Sequence, residues 1–318
     1  MLKMRRAGRF GCAVLVLALL AGLLGGCGGP GAVVELPEER APLASEPGAV
    51  LASTASGSRT QQNSSAVIDY SNAKDGYVMA AWLAGGSPKL KVLIKGPSGV
   101  QYQYNLRTDG QYETFPLSDG DGSYSVGVYK NVSGRDYATV LTASLSVELT
   151  DEFAPFIRPN QYVNYSEDSE AVKTAAREIE KAGAEDNLDK VQAIYDFVVT
   201  SLTYDTDKAQ SVKSGYLPDV DAVLSEKKGI CFDYAALMAA MLRSQGVPVK
   251  LVVGYTGELY HAWLNVWSEE DGWVDGLIYF DGKDWKLMDP TFASSGRQSS
   301  AIMKYIGNGA NYKAKYLY

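Results

Sequence analysis

The sequence predicts an α+β domain, with helices packed on an antiparallel sheet, preceded by a small all-β sandwich. Three observations carry this. Between residues 64 and 150, short stretches alternate apolar and polar side chains and are broken by Gly/Pro/Asp/Ser clusters. From 166 to 243 the apolar residues recur at three-to-four spacing. From 248 to 288 the alternation returns, so helices come first and strands afterwards. A chain of 318 residues with 46% hydrophobic content can bury two ordinary cores and hardly three.

The first nine residues are basic, and residues 11–24 are apolar but only fourteen long, short for a membrane span. Small residues then precede a cysteine in Leu24-Gly25-Gly26-Cys27, so residues 1–26 read as an export signal and stand outside the fold. The same ending resembles a bacterial lipoprotein box. That likeness implies cleavage before Cys27, lipid attachment to it, and a protein held on the extracytoplasmic face of a cell membrane. Residues 27–63 are mostly Gly, Pro, Ala, Ser and Glu, with too little apolar surface to offset ordering entropy, and are expected to form a flexible tether.

Within residues 64–150, strands are expected at 77–83, 89–95, 100–105, 111–116, 123–130 and 138–148. Six or seven strands at this spacing suit an antiparallel sandwich. The turn before Tyr124 resembles the tyrosine-bearing corner of immunoglobulin-like domains. Asp119-Gly120-Asp121-Gly122 has the acids of a calcium loop without its closing Glu, and a plain hairpin turn is the better reading. This domain is a spacer or a binding module, and the residues do not choose.

Residues 151–318 form the second domain. Its opening, to 165, is a Pro- and aromatic-rich junction. Ser166 or Ser169 can cap a helix over 171–182 that ends at Gly183, and Asn187 can cap the next. A polar loop over 203–218 leads into a short helix over 219–227. The run after Gly229 (Ile230, Cys231, then mostly Ala, Leu and Met to Arg243) is a strong, buried helix stopped by Gly246 and Pro248. Gly229 is expected to let the backbone turn sharply before it. Strands follow at 248–255, 260–268, 272–280 and 284–288. Residues 293–318, with four tyrosines, receive no assignment.

Cys231 therefore opens a helix, where free N–H groups and the helix dipole suit an anion such as a thiolate. With the leader removed and Cys27 acylated it is the last free thiol, and no intramolecular disulfide remains. His261, thirty residues on, is the only histidine, on an aromatic-rich strand; Asp289, twenty-eight residues further, closes a short strand at Pro290. Nucleophile, base and orienting carboxylate make an activated thiol. A lone Cys or a lone His is more often core structure; their joint occurrence in these settings argues otherwise. Asp275, Asp281 and Asp284 compete with Asp289 on spacing alone, but Asp289, fixed by Pro290 at a strand end, suits an orienting role better than the turn residues Asp281 and Asp284. Asp233 is expected to cap the helix start. One His and one Cys make a poor metal site, and no cofactor is implied.

The run GICFDYAALMAAMLRSQGVPVKLVVGY, then HAWLNVW, then GW and MDPT, resembles the catalytic core of the transglutaminase-like superfamily, over about residues 165–295. Many members carry Arg where Lys250 stands. The resemblance implies a papain/transglutaminase-like fold, a Cys231-His261-Asp289 triad, and thiol acyl transfer on protein or peptide amides, as peptidase, amidase or cross-linking chemistry. Trp263, Trp267 and Tyr255 could wall an acyl pocket or simply pack the core. The family also holds members that keep the fold for binding or scaffolding alone, a second reading of this chain.

Removing residues 1–26 takes away Lys3, Arg5, Arg6 and Arg9 and no acid, leaving 26 basic against 37 acidic residues, a formal charge of −11. Such a balance argues against a nucleic-acid partner.

Overall fold

A computed structural model describes residues 49–256, 258–268, 272–274, 278–280, 285–287 and 312–318. Cys27 and Asp289 lie outside them, as do residues 1–26, where an export signal is expected. No helix among the described residues is long and apolar enough to cross a membrane.

The all-β part has eight strands in two four-stranded antiparallel sheets. One holds β1 (Thr60–Gln62), β2 (Ala66–Asp69), β3 (Tyr77–Trp82) and β6 (Glu113–Pro116) in that order. The other is ordered β5 (Gln101–Asn105), β4 (Leu90–Lys95), β7 (Gly122–Ser133) and β8 (Asp136–Val147). Alternation shows in β4, where Leu90, Val92 and Ile94 are buried in the common cluster with Val126 and Val128 of β7. The Tyr124 hydroxyl accepts from the Asp119 N–H (3.0 Å) and donates to the Gly120 carbonyl (2.8 Å), tying down the corner before β7. The acidic turn is satisfied from within: Asp119 accepts from Ser98 and Tyr102, and Asp121 from the Leu149 N–H.

The tether does not run free to residue 63. The Thr54 N–H donates to the Tyr77 hydroxyl (3.1 Å), Asn72 Nδ2 to the Thr54 carbonyl (2.7 Å), and the Gly57 N–H to Asp69 Oδ2 (2.7 Å). Residues 60–62 then pair as β1. Small polar residues disfavour a self-supporting core, yet their backbone groups can still be taken up by a sheet already formed. This covering also explains why β3 is buried along both faces instead of alternating.

In the second part, α1 (Glu170–Ala182), α2 (Asn187–Ser201), α3 (Thr206–Ser211), α4 (Val220–Glu226) and α5 (Cys231–Arg243) precede a sheet ordered β13 (Gly272–Val274), β12 (Leu259–Ser268), β11 (Val249–Thr256), β16 (Tyr312–Leu317). A two-residue parallel bridge joins β9 (Thr203–Tyr204) to β10 (Lys228–Gly229). Ser169 occupies the cap position of α1 without capping through its side chain, and Asp221 of α4 takes the Ala171 N–H instead (2.9 Å). The cap of α2 is Asp186, not Asn187, because Asp186 Oδ1 reaches the Asp189 N–H (2.9 Å). The polar loop contains α3, capped by Asp205.

One strand expectation needs correction, and the unassigned tail adds a strand. The stretch 272–280 is not one strand: β13 pairs with β12, whereas β14 (Ile278–Phe280) pairs with β15 (Trp285–Leu287) as a separate hairpin. The aromatic tail supplies β16, which pairs with β11 across more than fifty residues of chain. Tyr318 buries its ring against Tyr102 and Tyr104 of β5 and against Tyr162 (centroids 5.8, 5.7 and 4.4 Å). One apolar cluster thus runs from both sandwich sheets through α1, α2 and α5 to β11 and β12.

Candidate active site

Helix α5 is buried from Asp233 to Arg243, so its apolar sequence is spent on packing on all sides. Its first residue, Cys231, is half-buried. Gly229 does not have a positive φ, so the sharp-turn expectation fails; the reason for glycine is space. A Cβ there would come within 2.7 Å of Asp233 Cβ.

Asp233 lies two residues beyond the cysteine and is fully buried. Its Oδ2 accepts from the Ile230 N–H (2.8 Å), the capping role expected of it. The same oxygen pairs with Lys208 Nζ at 2.8 Å, while Oδ1 accepts from the Tyr216 hydroxyl at 2.5 Å. Lys208 also donates to the Tyr216 oxygen (2.6 Å), with its ammonium 4.4 Å from that ring's centroid. Burial and the hydrogen bond to Asp233 push the Tyr216 phenol up to about 12. For Lys208, burial favours the neutral amine, but the bonds to Asp233 and Tyr216 prevail and its pKa is raised. Neither residue was singled out by sequence. The available signal was indirect: an acid inside an apolar helix needs a cation from elsewhere.

His261 is buried in β12, opposite Gly254 of β11, and α5 packs against both strands. Gly254 has no room for a side chain: a Cβ would clash with the Lys313 carbonyl and lie 2.7 Å from the Trp263 ring. Alternation along β12 places Ala262, Leu264 and Val266 in the apolar cluster that holds residues 234–242, and His261, Trp263 and Asn265 on the strand's other face. Phe232, next to Cys231, packs on Tyr162 (centroids 5.6 Å). Burial first, and the Tyr260 phenol second, push the Tyr162 phenol up to about 12.

Trp263 is 2% exposed and belongs to the core, whereas Trp267 is half-buried and meets Phe153 edge-on at 5.0 Å. Tyr255 is on the surface and pairs with Tyr260 (5.4 Å). Lys250, in the place of the expected Arg, lies 3.6 Å from the Trp273 ring centroid. A cleft of about 710 Å³ lined by Met79, Tyr112, Glu113, Asn160 and Leu217 includes neither Cys231 nor His261. Asp289 cannot be placed among these groups, since it lies outside the described residues.

Residues 173–275 match the model of the Transglutaminase-like superfamily, a span that holds Cys231 and His261 and stops before Asp289. The Uncharacterized protein YebA of Bacillus subtilis is 33% identical over 126 residues, covering 33% of this chain and 17% of that protein. A Protein-glutamine gamma-glutamyltransferase of Pseudomonas aeruginosa is 35% identical over 68 residues, covering 17% and 10%. The chain thus spans less than a fifth of the length of the curated relatives it matches. A solved structure from Cytophaga hutchinsonii, titled as a candidate cysteine protease, is 16% identical over 73% of this chain and 78% of its own, with a TM-score of 0.33.

Proposed function

With residues 173–275 carrying a transglutaminase-like core, we propose that this protein is a thiol acyl-transfer enzyme acting on protein or peptide amides, with Cys231 as nucleophile, His261 as base and Asp289 orienting the imidazole. The carrying observation is that Cys231, the free thiol among the described residues, opens a helix packed on the strand that bears the chain's only histidine.

In the proposed reaction the Cys231 thiolate adds to the amide carbonyl carbon. N–H groups at the start of α5 receive the oxyanion. The C–N bond breaks, the imidazolium gives its proton to the leaving amine, and a thioester remains. Water then releases an acid, or an amine forms a new amide, and the thiol is restored. The lipid on Cys27 and the tether place this chemistry at an extracytoplasmic membrane face.

The test is mass spectrometry of a glutamine-rich protein incubated with the enzyme and a labelled amine. Amine incorporation, deamidation or backbone cleavage by wild type, lost in Cys231→Ser and in His261→Ala, is the expected result. No product, together with equal labelling of wild type and His261→Ala by a thiol-reactive probe, would favour a binding or scaffolding role.

A further inference from the structure

We propose that Lys208 is a positioning residue for Cys231: its ammonium neutralises the buried Asp233 carboxylate at the tip of α5, so that the helix start still favours a thiolate. This deepens the reading of Cys231 as nucleophile and rests on it. The argument starts from charge. Asp233 is needed at the third helical position because it takes the Ile230 N–H, which holds the chain just ahead of the cysteine. A carboxylate there is also a negative charge within one helical turn of the sulfur, and like charges oppose ionisation. It is wholly buried, so water does not screen it.

Lys208 resolves the conflict at 2.8 Å, and the Tyr216 hydroxyl occupies the other carboxylate oxygen without adding charge. The two come from α3 and the loop behind it, a segment secured at its start by its own contacts: the Asp205 N–H donates to the Gly229 carbonyl (2.8 Å), and Asp205 pairs with Lys228 (3.2 Å). The titratable groups linked to the helix tip are Asp205, Lys208 and Tyr216 from this segment, Lys228 from β10 through Asp205, and Tyr162 from the junction through Phe232, while Tyr260 and His261 lie on β12, against which α5 packs. Of these, Lys208 is the cation bonded directly to Asp233.

The experiment is the pH profile of Cys231 alkylation by iodoacetamide, measured on the full chain. Lys208→Met leaves the acid uncompensated and should slow alkylation at neutral pH about tenfold, moving the profile to higher pH. Asp233→Asn leaves the ammonium uncompensated and should move the profile to lower pH. The double variant, with both charges gone, should return to within about threefold of wild type. Opposite displacements that cancel are the signature of charge; a structural clamp would slow or loosen all three alike. Singles that move the profile in the same direction, or not at all, overturn the proposal. Should Lys208→Met fail to fold, Asp233→Asn and Lys208→Arg carry the test: the first must shift the profile down and the second must hold it within about threefold of wild type. A His261→Ala variant alkylated like wild type would instead sink the Cys–His reading, whatever Lys208 does.

Discussion

The two ends of α5 each bury a charge completely, Asp233 at the start and Arg243 at the end, and they satisfy it in different ways. Both signs suit the helix dipole. Asp233 is met by side chains from one short segment, Lys208 and Tyr216, together with one N–H of its own chain start. Arg243 is met by main-chain carbonyls from three segments, one just beyond the helix and two far along the chain. Its Nε and Nη2 donate to Val249 (3.0 and 2.6 Å), its Nη1 to Arg158 (2.8 Å), and its Nη2 also to Tyr318 (2.6 Å). Burial depresses its pKa to about 10, which still leaves it charged at neutral pH. One end is a local device at the helix start. The other ties the junction, the sheet and the tail into one body.

That contrast is broken most sharply at Arg243. Arg243→Met should orphan carbonyls on all three segments and destabilise the whole fold by about 3–5 kcal/mol. Urea unfolding followed by fluorescence and by far-UV signal should shift together, with Tyr318 released alongside the rest. Loss confined to residues 205–217 would contradict the global role. Next comes Gly229→Ala, which must push Asp233 away from its 2.7 Å approach. We expect a cost of about 1–3 kcal/mol, from overpacking, and slower thiol alkylation. An unchanged alkylation rate would show that the cysteine is insensitive to Asp233.

Tyr216→Phe leaves one carboxylate oxygen of Asp233 without its donor, at about 1–2 kcal/mol. Hydrogen exchange should quicken in residues 205–217 while α5 beyond its first turn keeps its protection. The pair also has a pH signature. Tyr216 holds its proton and Lys208 its charge more tightly in the folded state. Their contribution is therefore complete below pH about 10 and fades as pH rises toward about 12. Buried Tyr104, Tyr165 and Tyr318 act in the same direction, so the comparison must be with a variant. The Lys208→Met, Tyr216→Phe double variant should lose less stability than wild type between pH 9 and 12; parallel curves would refute the assignment. The smallest effect is expected at Lys227, the one described non-glycine residue with positive φ (52°), at the end of α4. Lys227→Gly should be neutral or stabilise by up to about 1 kcal/mol, read as a rise in Tm.

How far the sequence carries differs between regions for a physical reason. Strands β3 to β8 were legible to within a few residues because alternation and turn chemistry are local properties. The same holds for α5, whose Ala-, Leu- and Met-rich run has one plausible conformation. The docking of residues 51–59 was not legible, since it rests on Tyr77, Asn72 and Asp69 offering partners to backbone groups far away. Nor was β16, a strand from a tail with no clear period that depends on β11 for its hydrogen bonds.

The sequence by itself determined the order of the described parts: an all-β unit, helices, then a sheet, with a cysteine at a helix start and a histidine on a strand. These follow from periodicity and residue type along a few consecutive positions. Only the tertiary structure decided that Asp233 would be neutralised by Lys208, that Arg243 would hold three segments, and that the tail would complete the sheet. Each of those joins groups distant in the chain, and a pairing between distant groups leaves no local pattern to read.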